Sequence, residues 1–89
     1  MKRVLVVDDS LLMRKMIADT LATCGWEVVA EASDGQMAVD MYQKFRPLAV
    51  TLDIVMPGKN GMYALEEILK VDPQAKVVVV SALNQTKMI

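Results

Sequence analysis

Short runs of apolar residues alternate along this chain with longer segments in which apolar residues recur every three or four positions. The short runs are too brief for helices and are rich in branched side chains, so they predict β-strands. They extend from Arg3 to Asp8, from Trp26 to Ser33, from Leu48 to Leu52 and from Val77 to Val80. The second run mixes glutamates with apolar residues, which predicts an edge strand. The uninterrupted valines of the last run predict a strand buried on both faces.

The longer segments have the spacing of helices that bury one stripe of side chains. The predicted helices are Leu11 to Cys24 closed by a left-handed Gly25, Asp34 to Phe45, Asn60 to Asp72, and a stub that starts at Ala82. Asp34 and Asn60 are predicted N-caps, because their side chains can accept hydrogen bonds from the first free N–H groups of a helix. Strands that alternate with helices through short connections predict a parallel sheet with helices on both faces.

Polar side chains stand where three of the predicted strands end. Asp8 and Asp9 follow the first strand, Asp53 follows the third, and Ser81 follows the fourth. Ligands of open parallel sheets bind at the carboxyl ends of the strands, so these side chains are expected to meet at one edge. Three simpler interpretations stay open: Asp8 and Asp9 as helix caps, Asp53 as an ordinary acid at a strand end, and Ser81 as the cap of the helical stub.

Composition excludes several classes of function. Ten basic residues are offset by eleven acidic ones, which gives a net charge of −1. Because the sequence also lacks a cluster of basic residues, it gives no reason to expect a nucleic acid or an anionic membrane surface as a partner. Cys24 is the only cysteine, so no internal disulfide forms, and without a signal-peptide pattern we predict a cytoplasmic protein. The chain has no histidine, which leaves oxygen atoms as its metal ligands.

The acids at the strand ends predict metal-assisted phosphoryl transfer. Carboxylates held close together repel one another, so their cluster is costly unless a cation neutralises it. Mg²⁺ suits a small set of oxygen ligands, because it retains several of its waters. A carboxylate beside that ion can act as the nucleophile, and the Ser81 hydroxyl can donate to a phosphoryl oxygen. An aspartyl phosphate and a metal-dependent phosphotransferase both fit; a hydrolase with an aspartate nucleophile fits less well, since no second general acid or cap segment is evident.

At these residues the chain resembles the receiver domains of two-component response regulators, and among them the stand-alone chemotaxis type. The motifs are Asp8-Asp9-Ser10 after strand one, Asp53 followed by Pro57-Gly58 after strand three, and Ser81-Ala82 after strand four. The resemblance implies a flavodoxin-like (CheY-like) doubly wound α/β fold. Four parallel strands in the order 2-1-3-4, three helices and a C-terminal helical stub are expected.

The resemblance also implies a role for each site residue. Asp53 would accept a phosphoryl group from a phosphohistidine of a histidine kinase, so the chain would catalyse only its own phosphorylation and dephosphorylation. Asp9 would ligate Mg²⁺ directly, Asp8 through a water, and the backbone carbonyl of Val55 would complete the protein ligands with Asp53. Ser81 would contact the phosphoryl group and couple it to a downstream target, which in the chemotaxis type is a flagellar motor component.

Family members continue beyond the position of Ile89 through a fifth strand that supplies a lysine to the phosphoryl group. Residues 1–89 are therefore expected to form a single, incomplete receiver domain. An alternative hypothesis is a folding or assembly fragment that keeps the acidic metal pocket but does not signal. Without a fifth strand, strand four would have an unpaired outer edge. We therefore predict a homodimer, either through that edge at Val77–Val80 or by exchange of elements between two chains.

Overall fold

One sheet organises the chain, and its parallel part has the predicted strand order. The computed structural model describes residues 2–54, 61–80 and 86–88, the last three as backbone. The elements are β1 (Lys2–Val7), α1 (Leu11–Thr23), β2 (Trp26–Ala32), α2 (Gly35–Phe45), β3 (Ala49–Asp53), α3 (Gly61–Val71), β4 (Lys76–Val80) and β5 (Thr86–Met88). The sheet order is β2-β1-β3-β4-β5, and the first four strands are parallel. The predicted order 2-1-3-4 with three helices is confirmed.

The position of each strand follows from its side chains. β1 pairs with both β2 and β3, and its residues Val4 to Val7 are all buried, as an uninterrupted apolar run requires at the centre of a sheet. β2 lies at the edge and leaves Glu27 and Glu31 exposed. The prediction of an edge strand is therefore confirmed.

Helix boundaries follow the predicted caps where the structure describes them. Asp34 caps α2, with its Oδ1 accepting a hydrogen bond from the Met37 N–H at 2.8 Å. Gly25 follows the end of α1 with φ +85°, a left-handed conformation that glycine adopts without steric cost. α3 begins at Gly61, and its predicted N-cap Asn60 lies outside the described residues.

α2 and α3 pack together on one face of the sheet and form the main core. Each buries four residues, and the core includes alternate residues of the central strands, such as Leu5 and Val7 in β1. Tyr42 of α2 donates a hydrogen bond from its hydroxyl to Asp72 Oδ2 at 2.9 Å. This bond joins α2 to the segment that follows α3.

α1 covers the opposite face. The connection from β1 to β2 crosses the sheet in one direction, and the connection from β2 past β1 to β3 crosses it in the other. Right-handed crossovers in opposite directions place their helices on opposite faces. α1, whose residues are all described, buries none of them.

The end of the chain differs from its prediction. Residues 86–88 form the antiparallel strand β5, which pairs with Val78–Val80, so the predicted helical stub is wrong at these positions. Residues 81–85 of that stub lie outside the described residues. The expected unpaired edge of β4 is also wrong over Val78–Val80, because β5 satisfies its backbone hydrogen bonds there. Homodimer formation stays a prediction.

None of the helices that the structure describes combines the length and the apolar character that are needed to cross a bilayer.

Candidate metal centre

Three carboxylates from separate parts of the chain meet at the carboxyl end of the sheet. One carboxylate oxygen from each of Asp8, Asp9 and Asp53 lies within 4.8 Å of the others. The register explains the meeting, because Val7 of β1 lies opposite Leu52 of β3, so the residues that follow them are neighbours. The predicted convergence of these acids is confirmed.

The three acids differ in their exposure to water. Asp8 is 5% exposed and Asp53 is 8% exposed, whereas Asp9 is exposed. Two buried carboxylates beside an exposed third form a cluster of like charges whose repulsion a cation can neutralise. The exposed Asp9 leaves the cluster open to solvent.

Hydrogen bonds hold the turn that contains Asp8. Its N–H donates to the Ala32 carbonyl at 3.0 Å, which extends the contact between β1 and β2 by one residue. Its Oδ1 accepts a hydrogen bond from the Ser10 N–H at 2.9 Å. The buried carboxylate is therefore fixed by the same turn that leads into α1.

Ser10, and not an aspartate, caps α1. The Ser10 Oγ accepts a hydrogen bond from the Met13 N–H at 3.2 Å, and the Ser10 carbonyl accepts one from the Arg14 N–H at 2.9 Å. The capping alternative for Asp8 and Asp9 is therefore wrong, since neither supplies the capping oxygen. The sequence signal for this cap was a serine directly before the apolar periodic segment.

Arg14 contacts the acidic turn and β2, and the sequence analysis did not predict these contacts. Its Nη1 donates to the Asp8 backbone carbonyl at 2.7 Å, and its Nε donates to Glu31 Oε1 at 3.1 Å. The side chain extends from α1 back towards the acidic turn. A basic residue in the first turn of a helix, where a cation is unfavourable, was the available signal.

Gly61, the first residue of α3, has a steric role that the sequence did not predict. A Cβ at this position would overlap the Asp53 carbonyl oxygen and the Ile54 Cα, and would lie 2.9 Å from the Asp53 carbonyl carbon. The Gly61 N–H donates to the Ile54 carbonyl at 3.1 Å. Glycine thus allows the start of α3 to pack directly against the backbone of Asp53.

The donor set fits a hard divalent cation. Its atoms are carboxylate oxygens, which suit Mg²⁺ or Ca²⁺ better than the softer metals that prefer nitrogen and sulfur. Among the described residues, Asp8, Asp9 and Asp53 are the group of acids close enough to hold one ion. Val55 and Ser81, which the sequence also assigns to the site, lie outside the described residues.

The family comparison identifies a model that spans almost the whole chain. The model of the response regulator receiver domain matches residues 4–89. The chemotaxis protein CheY of Thermotoga maritima is 48% identical over 88 residues, which are 99% of this chain and 73% of that protein. The chemotaxis protein CheY of Bacillus subtilis is 47% identical over 87 residues, which are 98% of this chain and 72% of that protein.

A solved complex gives the same fold. The structure of the CheX-CheY-BeF3-Mg+2 complex from Borrelia burgdorferi superimposes with a TM-score of 0.88 at 35% identity. The match covers 93% of this chain and 63% of that chain, so this chain spans less than two thirds of the solved one. That solved complex contains Mg²⁺.

Proposed function

Because this chain belongs to the response regulator receiver domain family and has chemotaxis proteins among its relatives, we propose that it is a phosphoacceptor switch whose acceptor is Asp53. The observation that supports the proposal most directly is the convergence of Asp8, Asp9 and Asp53 within 4.8 Å. Two carboxylates beside a third create a strongly negative site, which favours a bound cation and, with it, an incoming phosphoryl group.

The proposed reaction is a phosphoryl transfer to a carboxylate. An Asp53 oxygen attacks the phosphorus of a phosphohistidine on a histidine kinase, a P–O bond forms, and the P–N bond breaks. The leaving imidazole nitrogen then takes up a proton. These 89 residues contain no histidine, so the phosphohistidine donor lies outside them.

Each acid has a separate task in this proposal. Asp8 and Asp9 would hold Mg²⁺ together with Asp53, and the ion, when bound, would neutralise charge on the phosphoryl oxygens. Burial of Asp53 at the tip of β3 fixes the direction from which its carboxylate presents an oxygen. The Val55 carbonyl is proposed as a further ligand, and the Ser81 hydroxyl as a donor to the phosphoryl group.

The test is phosphorylation by a small donor. The full chain is incubated with Mg²⁺ and an acyl phosphate, and intact-mass spectrometry is used to look for one phosphoryl adduct. We expect the adduct in the wild-type chain, its removal by hydroxylamine, as an acyl phosphate requires, and its loss without Mg²⁺.

Matched variants locate the acceptor. Asp53→Asn should abolish the adduct, whereas Asp19→Asn, which removes an exposed acid from α1, should leave it unchanged. An adduct that persists in Asp53→Asn would contradict the proposal. Absence of any adduct in a chain that still binds Mg²⁺ would favour the alternative of a fragment that keeps the pocket without signalling.

The partners follow from the same proposal. The donor is a histidine kinase, and the target is a flagellar motor component if the likeness to chemotaxis proteins extends to output.

Self-association is proposed to proceed by exchange of β5 between two copies, since β5 occupies the edge of β4. Light scattering over a dilution series measures this, and a monomer at every concentration would rule it out.

A further inference from the structure

We propose that Arg14 is a positioning residue of the acidic site, which holds the peptide group between Asp8 and Asp9 in the orientation that cation binding requires. The proposal rests on the Mg²⁺ binding proposed above. Arg14 belongs to α1, and α1 contributes no carboxylate to the cluster. The proposal therefore adds Arg14 to the residues that determine the affinity of the site for the cation.

The contact geometry supports this role. Arg14 uses two different nitrogens, with Nη1 2.7 Å from the Asp8 carbonyl oxygen and Nε 3.1 Å from Glu31 Oε1. The guanidinium group is planar and rigid, so two hydrogen bonds to fixed acceptors determine its orientation. The side chain of Arg14 is 15% exposed, whereas that of Glu31 is 44% exposed. Arg14 is therefore largely enclosed between α1, the acidic turn and the end of β2.

The electrostatics of the helix make this placement costly without specific contacts. Arg14 is in the turn that follows the N-cap Ser10, where the positive end of the helix dipole disfavours a cation. Ordering a long side chain also costs conformational entropy. The bonds to the Asp8 carbonyl and to Glu31 offset these costs, which indicates that these two specific contacts account for the arginine at this position.

The carbonyl that Arg14 holds belongs to the peptide group that leads to Asp9. A peptide group is planar, so fixing the Asp8 carbonyl also fixes the Asp9 nitrogen and the start of that residue. The other side of Asp8 is held by the bond from its N–H to Ala32. Asp9 is exposed, so packing contributes little to its position, and the orientation of this peptide is the main constraint on it.

A charge effect and a positioning effect predict opposite results. If Arg14 acted only as a nearby positive charge, its removal would strengthen cation binding, because like charges repel. If Arg14 positions Asp9, its removal weakens binding. We expect Arg14→Met to weaken Mg²⁺ binding about tenfold, the lower end of the loss for residues that orient metal ligands.

The experiment uses the full chain and measures Mg²⁺ alone. Calorimetric titration compares the wild type with Arg14→Met, with Arg14→Lys, and with Lys15→Met, which removes the same charge from an exposed position of α1. Arg14→Lys keeps the charge and one donor, so it should recover part of the affinity. Lys15→Met should bind as the wild type does. Circular dichroism confirms that each variant is folded.

A second measurement is independent of the metal. Amide hydrogen exchange without Mg²⁺ should be faster at Asp9 and Ser10 in Arg14→Met than in the wild type or in Lys15→Met. Affinity equal to or tighter than wild type, with unchanged exchange at these amides, would overturn the proposal. If the wild type bound no Mg²⁺, the proposed function would fail, and exchange at the two amides would still decide whether Arg14 holds the turn. Should Arg14→Met not fold, Arg14→Lys against the wild type decides it in the same way.

Discussion

The two faces of the sheet are packed very differently. On one face α2 and α3 each bury four residues and contact each other as well as the strands. On the other face α1 buries none, and Leu11 and Leu12 are 70% and 68% exposed. The same sheet thus supports a dense core on one side and a single half-covered helix on the other.

The strands show where the difference begins. Val4 and Val6 of β1 are 1% and 0% exposed although they point away from the α2–α3 core, because α1 lies over β1 and β2. Farther along the same face, Thr51 of β3 and Val78 of β4 are only half-buried. Val4 and Val6 of β1 are therefore buried even though α1, the helix that covers them, buries none of its own residues.

The acidic cluster draws on both faces. Side chains alternate along a strand, so Asp8 and Asp53 continue the positions of Val6 and Thr51, on the face of α1. Arg14 approaches the cluster from α1, and Gly61 approaches the backbone of Asp53 from the start of α3. Stability comes mainly from one face, whereas the geometry of the site depends on contacts from both.

The largest expected contrast is between two leucines on different helices. Leu65 of α3 is 8% exposed and Leu12 of α1 is 68% exposed. Leu65→Ala should lower the free energy of unfolding by about 3 kcal/mol through lost burial and a cavity. Leu12→Ala should change it by less than about 0.5 kcal/mol. Urea denaturation measures both, and equal losses would show that the α1 face is as tightly packed as the other.

Gly61→Ala tests the contact between α3 and the acceptor. The added methyl group overlaps the Asp53 backbone, so we expect a loss of about 2 kcal/mol and altered NMR shifts at Asp53 and Ile54. The control is Gly25→Ala, where a Cβ meets nothing within 4 Å but φ is +85°. That variant should cost about 1 kcal/mol and leave those shifts unchanged. Wild-type stability and shifts in Gly61→Ala would refute the steric role.

Tyr42 makes the α2–α3 face sensitive to alkaline pH. Burial, together with the hydrogen bond to Asp72, raises the pKa of Tyr42 to about 12. The unfolded chain loses this proton near pH 10 while the folded chain retains it, so the stabilisation is complete below about pH 10 and is lost as the pH rises towards 12. Asp72 is half-buried, so solvent screening limits the effect to about 1 to 2 kcal/mol.

Tyr42→Phe is the variant that isolates this effect. It should remove the Tyr42 contribution to the loss of stability between these pH values, and Tyr63→Phe, a change at a less buried tyrosine, serves as the comparison. Urea denaturation at several pH values gives the slopes. An identical slope in Tyr42→Phe and wild type would show that the hydroxyl does not contribute.

The smallest effect concerns Thr51 on the looser face. Its hydroxyl oxygen is buried and has no hydrogen-bond partner among the described residues. Replacement by valine, which has nearly the same shape, should raise the free energy of unfolding by about 1 kcal/mol, because the cost of the buried hydroxyl disappears. Thr20→Val, which removes an exposed hydroxyl bonded to the Met16 carbonyl, should gain nothing. Loss of stability in Thr51→Val would mean that the hydroxyl is satisfied.

Much of the fold could be predicted from the sequence, because helix caps and the spacing of apolar residues depend on residues that are close together in the chain. Asp34 and Gly25 mark helix ends because a capping oxygen and a left-handed residue are local requirements, and both appear where they were predicted. The alternation of strands and helices predicted the parallel sheet, and the sheet brought Asp8, Asp9 and Asp53 to one edge. The end of the chain was misjudged, since residues 86–88 pair with β4 and form no helix.

The sequence by itself determined the identity of the acids and the strands that deliver them, because apolar period and strand-end polarity are local properties of the chain. Only the tertiary structure decided that Arg14 reaches the Asp8 carbonyl and that Gly61 lies against the Asp53 backbone. Those contacts depend on how far one element approaches another, which is set by packing between residues distant in sequence. The unequal covering of the two faces has the same origin, since a helix has one apolar stripe whether or not a neighbour buries it.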